Sequence, residues 1–392
     1  RMNQAQMRMY EKILPEVYPG NPYGERLPIG LMSGVDNFPY QALRDYYEKW
    51  YRPDQQGIIV VGDIDVDAVE AKIKDIFGTI AKPENPAERF YVQIEDNQET
   101  IVTMATDKEQ PYAMSYIFFK HDAYPDEMKN SVSYLLYDYA LTASQLMISQ
   151  RIQDMLQSPE PPFIDAAVLN DIFFIAKTKE AWTGQVASSD TDALSALTAL
   201  YREMLRAARG GFTAGEYERA KAEIVASYES RYNMRDKVKS AQYCSDYVNS
   251  FINGEPAVSI EDMFSLIQQV AAAVPVEIVN QIIGSFVGES NQVIACLLPE
   301  KEGVTYPTPD EVKAALAAVY AEDIEPYVDT VSDEPLLQEL PAKGSVLKAK
   351  DDKFGYRKYN LSNGATLYFK QTDFNADEIR MNAFSKGGTS LY

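Results

Sequence analysis

The alternation of apolar and polar residues over the first 80 positions predicts helices on either side of one buried strand. Residues 1–14 have helical spacing, which a loop rich in Pro and Gly then interrupts. Amphipathic spacing predicts helices over 40–51 and 66–77, and Asp65 is placed to cap the second of them. Between these helices, the run GIIVVGD at 57–63 is short and apolar, which is typical of a buried strand.

After a charged stretch with two Pro residues at 79–90, which predicts a linker, strands are followed by helices. Residues 100–106 and 113–120 are predicted to be paired strands, and 163–188 to form two or three antiparallel strands. Blocks of strands and helices are typical of the α+β class. A last strand is predicted at 291–299, and helices are predicted at 126–155, 190–209, 213–251, 260–270 and 276–283, with Thr213 and Glu216 spaced as a capping box.

The region from about 323 to 353 is acidic, contains Pro and has few large apolar residues, so it predicts a second linker. Beyond it, Asn363–Gly364 lies between two alternating runs, which is a strong hairpin signal. We expect a further domain to start there. The glycine turn near the end and the missing initiator Met indicate that both ends of the chain are cuts in a longer protein.

Composition narrows the possible functions. The chain has 392 residues, too many for one ordinary domain, and 46% of them are hydrophobic, which is enough for packed cores. The formal net charge of −21 disfavours binding to nucleic acid. No run of about 18 apolar residues is present, so no membrane span is predicted.

Residues that could carry catalysis are few. His121 is the single His, and it follows a predicted strand, where a solvated turn residue is more common than a ligand. One His cannot supply the H-x-x-E-H pair of a zinc peptidase, and no G-x-S-x-G, Walker A or G-x-G-x-x-G sequence is present. Cys244 and Cys296 are interpreted as buried free thiols.

Four other groups have both a structural and a functional interpretation. The acidic pairs Glu95–Asp96 and Asp351–Asp352 are interpreted as solvated loop charges, with cation binding as the alternative. The Tyr-rich helix is interpreted as core and interdomain packing rather than a peptide-binding stripe, and an oxyanion-stabilising role of Arg231–Tyr232 is considered but disfavoured. The tyrosines of that helix are Tyr134, Tyr137 and Tyr139.

An ordered set of motifs at 22–65 resembles the stretch that follows the zinc site in insulinase/pitrilysin-like (inverzincin) zinc peptidases, in particular the zinc-protease-like proteins of Bacteroidetes. The set consists of Pro22-Tyr23-Gly24, Gly30, Tyr51-Arg52-Pro53 and Val61-Gly62-Asp63. The runs LTASQLMISQRIQDMLQ and FTAGEYERAKAEI resemble the two long helices of the second domain of that family. LSNGATLYF and AFSKGGTSLY resemble the opening of a third repeat.

The resemblance implies repeated α+β domains, each an antiparallel-rich mixed sheet packed against long helices. Residues 1–80 would be the C-terminal part of the first, catalytic-type domain, and 93–325 the second, non-catalytic domain. A linker would follow at 326–353, and 354–392 would start a truncated third domain. Because the family's zinc ligands and Glu base would precede Arg1, no catalytic, cofactor-binding or metal residue is assigned in this chain.

The implied function is part of a zinc-dependent endopeptidase that hydrolyses peptides in a closed chamber. This chain would supply chamber wall and be inactive alone, with zinc in the full-length parent and none in the fragment. The alternative is a catalytically dead member that binds peptides or a partner subunit. Expected partners are a peptide or small unfolded protein substrate and the remaining domains of the same chain. The compartment is not decided, although the resemblance makes an exported, periplasmic location plausible.

Overall fold

The computed structural model describes residues 4–27, 30–332, 334–335, 337–374 and 379–388. The first three residues of the predicted N-terminal helix, and parts of the predicted second linker and third domain, lie outside the described residues. The helices are α1 Ala5–Val17, α2 Pro22–Glu25, α3 Met32–Asn37, α4 Tyr40–Trp50, α5 Val66–Phe77, α6 Val132–Leu156, α7 Ala193–Gly210, α8 Ala214–Asn233, α9 Ser240–Asn253, α10 Ile260–Ala273, α11 Val276–Phe286 and α12 Pro309–Tyr320. The strands are β1 Ile101–Asp107, β2 Ala113–Asp122, β3 Asp165–Phe173, β4 Ala176–Ser188, β5 Gln292–Pro299, β6 Val346–Asp351, β7 Arg357–Leu361 and β8 Thr366–Phe369.

The main sheet has five strands in the order β1-β5-β2-β4-β3. β5 runs parallel to β1, with Met104 opposite Cys296, and antiparallel to β2, with Ile117 opposite Ile294. The prediction that β1 and β2 pair with each other is therefore wrong, because β5 lies between them. All eight residues of β5 are buried, as expected for a strand covered on both faces.

The two faces of this sheet carry different cores. The larger core contains Ile117, Trp182 and Ile294 from the sheet, packed against α6, α7, α8, α10, α11 and α12. On the opposite face α1 packs on the sheet, with Ile13 and Leu14 against residues such as Phe118. The α+β prediction, a mixed and mostly antiparallel sheet against long helices, is confirmed.

Several predicted elements differ from the structure. Residues 57–63 form no strand, because none of the described residues supplies a partner strand to them. The predicted single helix at 213–251 is α8, a 3-10 turn at Arg235–Lys237 and α9. α12 was not predicted, although Thr308 and Glu311 form a capping box at its start. Strand β6 lies within the segment predicted to be a linker.

Other predictions are confirmed. Asp65 caps α5 by accepting a hydrogen bond from the backbone N–H of Ala68. Thr213 and Glu216 form the predicted capping box on α8. The hairpin predicted at Asn363–Gly364 joins β7 to β8, and the positive φ of Gly364, 87°, is the conformation that glycine adopts without strain. In the part of the chain that the structure describes, no single helix is long and apolar enough to cross a membrane, whereas α10 and α11 pass that test only as a pair bent by 90°.

Candidate functional site

Helix α1 is fixed to the sheet by both apolar and polar contacts. Its apolar side is buried against the sheet, and the guanidinium of Arg8 donates to both carboxylate oxygens of Asp107 at 2.7 and 2.6 Å. These hydrogen bonds lower the pKa of Asp107 to about 2. The Tyr18 hydroxyl donates to the Phe173 carbonyl at 2.6 Å, and burial raises the pKa of this phenol. The helix therefore belongs to the same packed body as the sheet.

The Pro22-Tyr23-Gly24 motif closes the C-terminal side of α1. A Cβ on Gly24 would lie 2.8 Å from the Tyr18 carbonyl oxygen and 3.1 Å from that of Leu14, so only glycine fits. Asn21 caps α2 through the N–H of Tyr23, and its side-chain amide donates to the Gln93 carbonyl at 2.8 Å. The motif thus connects α1 to the segment that enters the sheet.

Arg52, in the Tyr51-Arg52-Pro53 motif, is also structural. Its side chain is 5% exposed, donates to the Ala87 carbonyl at 2.9 Å and pairs with Asp54 at 3.3 Å. It therefore fastens the predicted linker at 79–90 to the preceding turn.

Helices α3, α4 and α5 leave their large apolar side chains uncovered. None of their residues is buried, and the exposed fractions reach 82% for Tyr40, 59% for Leu43 and 61% for Tyr47. The rings of Tyr47 and Tyr51 stack on each other at 4.9 Å. We call this surface, the large apolar side chains of residues 31–80, the apolar flank. Large exposed apolar patches are uncommon on soluble monomers and usually mark an interaction surface.

His121 is held in a row of hydrogen bonds that crosses three strands. Its Nε2 lies 2.7 Å from Oδ1 of Asn170, whose amide donates to Glu180 at 2.9 Å, and its ring stacks on Phe286 at 4.0 Å. It is therefore partnered rather than solvated, contrary to the prediction of a solvated turn residue.

The donor groups of this chain do not fit a zinc ion. Within the described ranges, no three or more His, Cys, Asp or Glu residues are grouped so that they could hold a metal. A catalytic zinc needs three protein ligands. No step through zinc is therefore derived from these residues.

The structure also locates the other residues selected from the sequence. Tyr139 is buried, whereas Tyr134 and Tyr137 pack against Tyr124 at ring distances of 5.0 and 5.1 Å. Arg231 lies over the Tyr228 ring at 5.2 Å and Tyr232 stacks on Phe264 at 5.4 Å. These contacts place the side chains of Tyr134, Tyr137, Arg231 and Tyr232 in packing positions.

The remaining groups are the acidic pairs and the thiols. Asp96 pairs with Lys179 at 2.8 Å, which lowers the pKa of this carboxyl, and Asp351 pairs with Arg357 at 3.1 Å. Both cysteines are free, with Cys296 buried and Cys244 half-buried. The free-thiol prediction is confirmed, although only one thiol is fully buried.

A buried ionic cluster was not found from the sequence. Arg151 on α6 pairs with Glu216 on α8 at 2.6 Å and with Glu203 on α7 at 3.2 Å, and all three side chains are at most 3% exposed. Its guanidinium also lies over the rings of Phe212 and Tyr327, at 4.8 and 4.1 Å. The one sequence signal is an Arg on the otherwise apolar side of a long helix.

Known proteins are similar to this chain in sequence. A family model described as Peptidase M16 inactive domain matches residues 37–137. The zinc protease PQQL-like protein of Arabidopsis thaliana is 23% identical over 385 residues, which are 95% of this chain and 36% of that protein. The chain is similar in sequence to M16, insulinase-type peptidases. The resemblance inferred from the motifs at 22–65 is confirmed.

Solved structures agree with the M16 fold. The periplasmic protease PqqL from Escherichia coli aligns with a TM-score of 0.74 and 19% identity, over 94% of this chain and 40% of that one. The structure of the first half of PqqL aligns with a TM-score of 0.73 and 20% identity, over 83% of this chain and 69% of that half. This chain therefore spans well under half the length of the full-length relatives it matches.

Proposed function

We propose that this chain supplies the non-catalytic domain and part of the chamber wall of a zinc-dependent M16 endopeptidase, and that it is inactive alone. The observation that carries the proposal is the apolar flank on a chain whose relatives are longer zinc proteases. Leu43 and Tyr47 are uncovered here, and burying such side chains is favourable by roughly 1.5–3 kcal/mol each. The remaining domains of the same protein would cover them.

The alignments with PqqL support this assignment. The first half of PqqL leaves about a third of its own length unmatched by this chain, which is enough for further strands and helices. Residues 57–63 are extended but unpaired, with Ile58 at 42% and Val60 at 48% exposure. In the longer protein this segment would pair with a neighbouring strand and become the buried strand that its composition favours.

The matched share of this chain falls from 94% with whole PqqL to 83% with its first half. This difference supports the assignment of the β6–β8 sheet to the start of a third repeat. Residues 1–80 would then close the first domain, 93–325 would form the second, and 326–353 would join the two halves.

The zinc would be held by residues outside this chain. Inverzincins take two His ligands and a Glu base from one H-x-x-E-H motif, and the sequence here has one His. When bound by those residues, zinc would supply polarisation of the scissile carbonyl and a bound water of lowered pKa. The chamber would take a peptide or a small unfolded protein as substrate. Because the solved relative PqqL is a periplasmic protease, we also propose an exported location.

The experiment compares the full-length protein with the 392-residue chain in cleavage of a quenched fluorogenic peptide. Each is assayed with and without a zinc chelator, and the control is a full-length variant in which the motif Glu is changed to Gln. We expect chelator-sensitive cleavage by the unmodified full-length protein alone. Cleavage by the short chain would contradict the proposal. No cleavage by either would favour a catalytically dead member that binds peptides or a partner subunit.

A second experiment tests the apolar flank. Leu43→Asp in the full-length protein is expected to lower its thermal midpoint, whereas in the 392-residue chain the same change leaves the midpoint unaltered because Leu43 packs against nothing buried there. The control is Gln41→Asp, an exposed neighbour on the same helix. An equal effect of Leu43→Asp in both proteins would contradict the assignment of the flank as an internal interface.

A further inference from the structure

The segment after α12 lies on the helical layer instead of hanging free. Residues 321–331, which we call the strap, contain no helix or strand. Four of them are half-buried while their neighbours are exposed, and each of the four has a partner on the helices. These residues are Glu322, Ile324, Tyr327 and Asp329.

An arginine stripe on α7 holds the first part of the strap. Arg202 donates to both carboxylate oxygens of Glu322, at 2.6 and 2.7 Å. Arg206 donates to the Glu325 carbonyl at 3.1 Å, and Arg209 to the Glu322 carbonyl at 3.3 Å. Since the three arginines are spaced four and three residues apart, they lie on one side of the helix.

Two further contacts hold the second part. The Tyr327 ring lies 4.1 Å from the Arg151 guanidinium, and its hydroxyl is 3.2 Å from a carboxylate oxygen of Asp154. Asp329 accepts from Arg219 at 3.0 and 3.1 Å, and this contact contributes to the lowered pKa of the carboxyl. Ile324 packs against the larger core between these polar contacts.

Beyond the strap the chain is exposed and makes few contacts with other elements. Every described residue from 332 to 345 is exposed, up to the start of β6 at Val346. The only hydrogen bonds that this stretch makes with a different element, among the described residues, are those between Ser345 and Ser362 of the β6–β8 sheet. The helices therefore hold the strap in place, whereas they make no hydrogen bond with the described residues from 332 to 345.

We propose that the strap is a clamped segment that fixes where the chain leaves the second domain, so that any hinge between the two units begins beyond residue 331. The pivot then lies beyond Asp329, and bending is excluded from the strap as long as the arginine pairs hold. This inference does not depend on peptidase activity, because it rests on contacts within one chain.

Limited proteolysis with chymotrypsin tests this proposal on the intact protein. The Tyr327–Val328 bond lies in the strap, whereas the Leu337–Gln338 bond lies in the exposed stretch beyond it. A protease needs a locally free, extended segment, so we expect cleavage after Leu337 to precede cleavage after Tyr327, although chymotrypsin prefers Tyr to Leu. The ratio of the two cleavage rates, measured by mass spectrometry, is internally referenced to the same sample.

The variant Arg202→Ala/Arg219→Ala removes two partly exposed arginines and is expected to raise the relative rate after Tyr327 about tenfold. The matched control is Arg44→Ala/Lys72→Ala, which removes the same charge from exposed positions on α4 and α5. Raising the salt concentration is expected to speed cleavage after Tyr327 in the unmodified protein. Cleavage after Tyr327 as fast as after Leu337 in the unmodified protein would overturn the strap, and an unchanged ratio in the double variant would overturn the role of the arginines.

Discussion

Arg151 and Glu216 form a bidentate ion pair inside the helical layer, with Nε to Oε1 at 2.6 Å and Nη2 to Oε2 at 2.9 Å. Glu216 also accepts from the backbone N–H of Thr213, so one carboxylate serves both the ion pair and the start of α8. Arg151 further donates to the Gly211 carbonyl at 2.9 Å. This single side chain therefore joins α6, α7, α8 and the turn between α7 and α8.

Replacing Arg151 with Met is expected to lower the free energy of unfolding by about 3–5 kcal/mol, because Glu216 would remain buried without a cation, whereas Glu203 keeps its ion pair with Arg206. Urea unfolding followed through the fluorescence of the buried Trp182 measures this loss. The control is Arg202→Met, whose partly exposed pair should be worth less than about 1 kcal/mol. Equal losses for the two variants would contradict a special role for the buried cluster.

Gly184 on β4 faces α7 at close range. A Cβ at this position would lie 2.6 Å from Sδ of Met204 and 3.1 Å from Cδ2 of Leu200. Gly184→Ala is therefore expected to destabilise the protein by about 1–3 kcal/mol through overpacking. Gly288→Ala is the matched control, since a Cβ there meets nothing within 4 Å. The same urea titration checks both, and a neutral Gly184→Ala would mean that Met204 moves aside freely.

Lys120 on β2 is expected to make the free energy of unfolding depend on pH. Burial lowers the pKa of its amine from 10.5 to about 8, while neighbouring Asp96 raises the pKa and Lys179 lowers it further. Between pH 8 and 10.5 the unfolded chain binds more protons at this residue than the folded one, so its contribution to stability rises with pH. The slope is at most about 1.4 kcal/mol per pH unit.

Lys120→Met is expected to remove this rise, and unfolding titrations at pH 8, 9 and 9.5 measure it as the difference from the unmodified protein. Lys108, whose side chain is 80% exposed, provides the control variant Lys108→Met. Parallel pH profiles for Lys120→Met and the unmodified protein would show that the amine is not desolvated.

The two thiols should react at very different rates. Burial raises the pKa of Cys296 to about 11, and the Ser115 hydroxyl lies 3.5 Å from its sulfur. Because the thiolate is the nucleophile, Cys296 should stay unmodified by a thiol reagent at pH 8 while half-buried Cys244 reacts. Mass spectrometry of the folded protein checks this, and unfolding in urea should expose both. Simultaneous labelling in the folded state would contradict the buried position of β5.

Local elements were predictable from the sequence because they depend on neighbouring residues. The capping box of Thr213 and Glu216 and the Asn363–Gly364 turn are fixed by spacing and by glycine geometry alone. The capping box of Thr308 and Glu311 has the same signal, so α12 was predictable and was missed.

Pairings that join distant parts of the chain were not predictable. Periodicity shows which side of β1 is apolar, but it does not show that β5, about 190 residues later, lies beside it. The partners of Arg151 could not be predicted for the same reason, since Glu203 and Glu216 lie on other helices. The acidic, Pro-containing composition of 323–353 predicts a linker but gives no sign of its partners, although the arginines of α7 and α8 hold residues 322–329.

The position of β5 between β1 and β2 constrains the order in which this chain can fold during synthesis. β2, β3 and β4 can pair as soon as they leave the ribosome, but β1 has no edge to join until Gln292–Pro299 has been made. Contacts of such large sequence separation are slow to form and leave β1 and α1 exposed in the nascent chain. A ribosome that stalls before residue 299 would therefore release a product with an open sheet edge, a ready target for chaperones and proteases.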